Sequence, residues 1–253
     1  MLPQTFIHIP GIGHEMEASL WKQGCNSWSH YLEDLKRFKI GSAEKEFFRK
    51  QVHSSMKSLE EGRHQFFTRG LGLKEAWRAF PDFRSSCVYL DIETDGGQGG
   101  SSVTMIGLYD GKEFQCLVKG DNLENFRDII SQYSMIVTFF GSAFDLPMLQ
   151  KCFSGIRFDQ IHLDLCPTLR RVDVRGGLKK IEKQLGIARG EDTEGLNGYD
   201  AILLWQRFQR NRDDRALEKL IAYNRDDVVN LEKLAEIAYQ RLQEDTLEKA
   251  RLF

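Results

Sequence analysis

Two acids, Asp91 and Glu93, close the otherwise apolar run CVYLDIE. Set two apart on a strand, they share a face while Ile92 turns to the other. Like charges side by side repel, so a crowded or buried pair needs a cation, hydrogen bonds or a raised pKa to be tolerated. Further acids stand at the ends of apolar elements: Asp145 after TFFGSAF, and Asp227 within LIAYNRDDVVNL. Tyr223 and Asp227 are four apart on a predicted helix, which brings a phenol and a carboxylate onto one face. Asp226, three from Tyr223, is expected on the solvated side. Each feature alone reads as a solvated edge or a surface acid; the combination points to a site that collects cations.

Carboxylates drawn from separate elements are hard oxygen donors and suit Mg²⁺ or Mn²⁺ better than zinc. His162, in IHLDL, is read as a hydrogen-bonded core residue. Asp164 is read as a helix cap or supporting group, because Pro167 follows it. GGQGG, after Asp95, reads as a flexible hairpin tip.

The elements that must position these groups are legible in the patterning. CVYLDIE, VTMIGLYD and EFQCLV read as three antiparallel strands, the last two joined by a hairpin at Asp110-Gly111. A helix over Leu123 to Gln132, the strand MIVTFF, a helix from about Asp145 and the strand IHLDL follow; the remainder is helical, with a closing helix from Asp213 to about Glu244. The expected architecture is α/β, a mixed five-stranded sheet flanked by helices. Ahead of it, residues 9 to 35 read as a turn, a helix, a turn at Gly24 to Asn26 and a second helix capped by Ser27. Residues 41 to 80 are helical in pattern. A boundary near Pro81 therefore divides the chain into a helical region, 1–80, and an α/β domain, 81–253.

The 253 residues carry a net charge of -2, which neither demands nor excludes a nucleic-acid partner. The first 80 hold 12 basic and 9 acidic side chains, making this the more basic arm. Five cysteines with no CxxC spacing do not suggest a disulfide framework or a zinc site. The N-terminus lacks a signal-like pattern, and no apolar run approaches the roughly 20 residues that span a bilayer. A cytoplasmic protein without membrane contact is expected.

The order D-I-E, then F-D after an apolar strand, then Y-x-x-x-D on a late helix resembles the DEDD superfamily of DnaQ-like 3′-5′ exonucleases, with the spacing of its tyrosine-type subclass. PDFRSSCVYLDIETDG, VTFFGSAFDLPML, HLDL and GLKKIEKQLGI are similar to the YprB-type branch of ribonuclease H-like domains, over roughly residues 80 to 240. The resemblance implies a ribonuclease H-like fold and two divalent cations held by Asp91, Glu93, Asp145 and Asp227. It also implies that Tyr223 orients or deprotonates the attacking water; a phenol titrates at about 10, so an alkaline activity optimum is expected if Tyr223 is the base. The chain departs from the branch at Tyr223, where a His is usual, and at Phe140, where an Asn is usual.

Cationic walls suit an anionic polymer entering an acidic cleft, and Arg170, Arg171, Arg175, Lys179, Lys180 and Lys183 crowd one segment. IPGIGHEMEASLWKQG resembles a helix-hairpin-helix phosphate-binding motif, in which the N-H groups of Gly11 and Gly13 would face a phosphate. The expected function is a metal-dependent 3′-5′ exonuclease acting on DNA or RNA. A non-catalytic nucleic-acid-binding module and an endonuclease using the same metals are the alternatives.

Overall fold

The computed structural model describes residues 1–40 and 45–252. Its first helices are α1 (His14–Lys22) and α2 (Trp28–Glu33), the latter capped as expected by Ser27, whose hydroxyl accepts the His30 N-H at 3.1 Å. α3 (Lys45–Glu60) and α4 (His64–Glu75) realise the helical pattern expected over 41–80, of which positions 41–44 lie outside the described residues. The Gly-rich end of α4 breaks at Gly72, and short turns with α5 (Phe80–Phe83), which contains Pro81, lead into the sheet.

The sheet consists of β1 (Cys87–Thr94), β2 (Val103–Tyr109), β3 (Phe114–Val118), β4 (Met135–Thr138) and β5 (Ile161–Asp164), in the order β3-β2-β1-β4-β5. The first three strands are antiparallel, while β4 and β5 run parallel to β1. The β2 to β3 hairpin turns where expected. The Asp110 carboxylate accepts the N-H groups of Lys112 (2.9 Å) and Glu113 (2.8 Å), and Gly111 supplies φ +89°.

Parallel neighbours need crossovers, which α6 (Phe126–Ile130) and α7 (Asp145–Cys152) provide on one face. α8 (Leu165–Arg170), α9 (Leu178–Leu185), α10 (Gly198–Asn211) and α11 (Asp214–Leu252) complete the chain, α11 running past its expected end near Glu244. The strand expected in MIVTFF stops at Thr138, because Phe140 takes φ +69° and cannot continue the pleat.

Alternation along β1 sorts the two cores. Val88, Leu90 and Ile92 pack with Phe126, Leu149 and Phe153 beneath α6 and α7. Cys87 and Tyr89 face the other way, onto Val228, Leu231 and Leu234 of α11. That second core continues into the helical region through Leu2, Phe6, Trp28, Phe48 and Phe67. At the junction, the buried Arg78 guanidinium donates to Glu75 at 2.7 Å and to Thr5 at 2.7 Å, and pairs with Glu17 at 2.9 Å. No helix among the described residues is long and apolar enough to cross a membrane.

Candidate functional site

Asp91 and Glu93 project from the C-terminal half of β1 on the face covered by α11, with a register irregularity after Glu93. Opposite Asp91 in β2 stands Gly107, over which Asn224 of α11 lies and donates from its amide to Asp91 at 3.0 Å. One oxygen each from Asp91, Glu93 and Asp227 lies within 4.8 Å of the others. Asp145 arrives by a different route. β4 pairs with β1 only as far as Tyr89, which leaves that edge of β1 open, and Asp145 accepts the Ile92 N-H at 3.2 Å. The four acids expected from the sequence thus approach one end of the central strand, the first three as a triplet and Asp145 through the backbone between Asp91 and Glu93.

Burial sets the electrostatics. Desolvation, then repulsion by Asp227, Asp145 and Glu93, pushes the Asp91 carboxyl well above the usual range. Desolvation first and Asp227 second raise Glu93 to about 8, and desolvation raises Asp145 to about 7. Asp227 is raised by desolvation as well, although the Arg189 guanidinium donates to it and opposes the shift. Arg189 is held in turn by Glu182, to which it donates at 2.7 and 3.0 Å, while the Asn230 amide donates to Glu182 at 2.8 Å. Lys179 donates to the Tyr223 hydroxyl with its ammonium 4.1 Å from the ring centroid, and desolvation lowers its pKa. Desolvation first, then Asp227, Glu93 and Asp91, push the Tyr223 phenol well above its usual value, so in the metal-free site it is protonated near neutral pH.

The remaining sequence candidates separate. Asp164 is buried and accepts the N-H groups of Phe140 (2.8 Å), Ser142 (3.0 Å) and Cys166 (3.1 Å), so it both caps α8 and anchors the loop leading to Asp145. His162 is buried against Thr138 at 2.9 Å, and desolvation lowers its pKa to about 4. Of the basic run, Lys179 faces the acids. Arg171 instead donates to the Lys74 carbonyl and pairs with Glu75, and Arg175 pairs with Asp173, while Arg170, Lys180 and Lys183 are exposed. Gly11 and Gly13 sit in an open turn before α1, where a Cβ would meet nothing within 4 Å, and two acids, Glu15 and Glu17, occupy the first helical turn.

Two expectations need correction. Asp226 is not merely solvated: it accepts the Gly190 N-H at 3.0 Å and the Thr193 hydroxyl, fixing the loop that carries Arg189. The GGQGG tip is not free. Gly100 lies so close to the Lys151 backbone that a Cβ would overlap it, and the Lys151 ammonium donates to the Gln98 carbonyl at 3.3 Å.

Sequence reasoning passed over Asn224, Gly107 and Arg189. Gly107 carried a signal, since a glycine inside a strand marks a bulge or a close approach. A Cβ there would overlap Asn224 Oδ1. Gly107→Ala is therefore expected to expel the Asn224 side chain, cost about 2 kcal/mol of stability and lower divalent-cation affinity. Urea denaturation and Mn²⁺ titration by calorimetry check both. An unchanged midpoint would contradict the close approach.

A mixed sheet in the order β3-β2-β1-β4-β5, with carboxylates gathered at one end of its central strand beneath a long helix, defines an α/β fold with a carboxylate-centred site. The sequence model of the RNase_H superfamily matches residues 88–239, and the chain belongs to that superfamily. No curated protein and no solved structure matches the chain. Membership points to a nucleic-acid substrate and to divalent-metal chemistry.

Proposed function

We propose that this protein is a metal-dependent 3′-5′ exonuclease that hydrolyses phosphodiester bonds of DNA or RNA. The observation that carries the reading is the oxygen triplet of Asp91, Glu93 and Asp227 within 4.8 Å, with Asp145 joined to the same strand. The donor set fits hard divalent cations: it is all carboxylate, burial raises every member's pKa, repulsion between acids adds to the rise at Asp91, Glu93 and Asp145, and Mg²⁺ or Mn²⁺ would relieve that repulsion. Asp91, Glu93, Asp145 and Asp227 are the residues to hold two such ions. When bound, these would lower the pKa of the attacking water and stabilise the leaving oxyanion.

The chain's own groups have distinct tasks. Tyr223, kept protonated, orients the water by donating or accepting a hydrogen bond rather than removing its proton. Lys179 holds the phenol and sets a positive charge beside the acids, where a phosphate would approach. Arg189 and Glu182 fix the Asp227 carboxylate. Residues 1–80 form the supporting helical region in this reading and 81–253 the catalytic domain. Arg170, Arg175 and the Gly11 to Gly13 turn are candidate phosphate contacts.

Tyr223→Phe is expected to lower kcat roughly 10- to 100-fold. It should leave any rise of activity with pH in place, because a phenol held protonated does not supply that ionisation. Loss of the alkaline limb in Tyr223→Phe would make the phenol the base after all. The reading itself is tested by time courses on 5′-labelled single-stranded DNA and RNA with Mg²⁺, Mn²⁺ or EDTA. A descending ladder, abolished by EDTA and by Asp145→Asn, is expected. Binding without cleavage would favour a non-catalytic nucleic-acid module, and internal fragments an endonuclease.

A further inference from the structure

The Arg189 guanidinium, on the loop between α9 and α10, has one more donor than its partners use. Its side chain is only 8% exposed. Glu182 accepts from Nε and Nη2 at 2.7 and 3.0 Å and so fills one edge of the planar group. The second proton of Nη2 must then lie on the other edge, the one shared with Nη1, and Asp227 accepts it. Nη1 completes that edge. It is buried and meets no acceptor among the described residues. Planarity sets its inner proton alongside the one given to Asp227, so the open prong is aimed at the space beside that carboxylate.

A buried donor without an acceptor carries a free-energy cost, which a guanidinium present only to balance charge could avoid by giving both prongs to Asp227. Asp227 accepts from one. Nor does the fork depend on Asp227 for its position. The Asn230 amide donates to Glu182 at 2.8 Å, and Asp226 accepts the Gly190 N-H at 3.0 Å, fastening the residue next to Arg189 to α11. The charge is thus fixed in place beside the acids, with the guanidinium carbon 5.8 Å from the centroid of the Tyr223 ring.

Resting on the reading of this site as one that cleaves phosphodiesters, we propose that Arg189 is a further catalytic residue. Nη1 donates to a non-bridging oxygen of the scissile phosphate while Nη2 stays on Asp227. A guanidinium edge suits phosphate oxygens, and a donor fixed beforehand stabilises the charge that grows on them as water attacks. Cleavage puts the water's hydroxyl on phosphorus and its proton on the departing 3′ oxygen. The released nucleoside 5′-monophosphate therefore keeps the phosphate that Arg189 holds.

Calorimetric titration of thymidine 5′-monophosphate into the whole chain in Ca²⁺ reads the contact without turnover, and kcat and KM are read separately on single strands in Mg²⁺. Arg189→Lys keeps a positive charge but lacks the planar fork, and is expected to weaken the nucleotide roughly tenfold or more. kcat should fall at least as far. Ca²⁺ titrated alone should bind no more weakly than to wild-type protein. Unchanged nucleotide affinity overturns the proposal. So does a loss matched by an equal loss of Ca²⁺ affinity, which would leave Arg189 only positioning Asp227. If Arg189→Lys does not fold, Glu182→Gln loosens the anchor of the fork and is read by the same two titrations. Strand cleavage by wild-type protein, with nucleotide affinity unaltered in Arg189→Lys, sinks the phosphate contact and leaves the exonuclease standing. Weakened nucleotide binding in Arg189→Lys, with no cleavage by wild-type protein in any metal, sinks the exonuclease and leaves the contact.

Discussion

Asp91→Asn is expected to slow phosphodiester hydrolysis by roughly three orders of magnitude or more, and at the same time to raise the melting temperature of the metal-free protein. The first effect follows from removing one of three carboxylates whose oxygens lie within 4.8 Å. An amide keeps the shape and the oxygen but cannot supply the negative charge that holds a divalent cation. The second effect follows from the same crowding. Burial and three neighbouring acids push the Asp91 carboxyl well up, so near neutral pH its ionised form is disfavoured in the folded state. The substituted amide would carry no charge to repel Glu93 and Asp227, and its oxygen would still accept from the Asn224 side chain, as Asp91 does at 3.0 Å. Steady-state rates in Mn²⁺ and calorimetry in EDTA at pH 8 measure the two halves. A variant that is inactive and also less stable without metal would show Asp91 to be a structural group rather than one strained for function.

The second large effect is a pH-dependent gap between metal-loaded and metal-free stability. Burial raises Glu93 to about 8 and Asp145 to about 7 in the fold, whereas unfolded carboxyls titrate at about 4. Because the folded values are raised, the folded state binds more protons over this interval. The contribution is fully present below about pH 4 and is lost as pH rises through 7 to 8. It amounts to several kcal/mol at most, since the acids share one set of repulsions and their shifts do not add.

Two buried histidines act at the other end. Desolvation lowers His8 to about 3 and His162 to about 4, so their contribution is present above about 6.5 and lost as pH falls toward those values. Below about pH 6.5 the two sets of groups oppose each other, and above it only the loss from the acids remains, so metal-free protein should lose melting temperature as pH rises from about 6.5 to 8. Saturating Mn²⁺ binds the ionised acids and should cancel the alkaline loss, so the gap widens from pH 6 to pH 9. Asp145→Asn should remove most of the widening. A gap of constant size across that range would place the cation away from these carboxylates.

Much of this architecture was legible in the sequence because its determinants are local. Alternation in CVYLDIE set Asp91 and Glu93 on the face opposite Ile92, Asp110-Gly111 turned the hairpin, and the four-residue spacing of Tyr223 and Asp227 put both on the buried side of α11. Asp164 likewise capped α8, as its place before Pro167 suggested. Periodicity and turn chemistry act over a few residues, and there they decide which way a side chain points.

Partners far apart in the chain were decided by tertiary structure alone. Lys179 and Arg171 belong to one basic run, yet one reaches Tyr223 and the other the Lys74 carbonyl, because α9 and α8 present different sides to the sheet and to the helical region. Arg189 meets Asp227 only because Asp226, read as a solvated acid, fastens its loop to α11. Asn224 reaches Asp91 only where Gly107 leaves room across the β1 to β2 register. The acids are written in the sequence; what compensates their charge depends on which loops and helices are packed against them. Spacing along a chain does not encode that, because pairs so distant in sequence are brought together only by the shared burial of apolar faces.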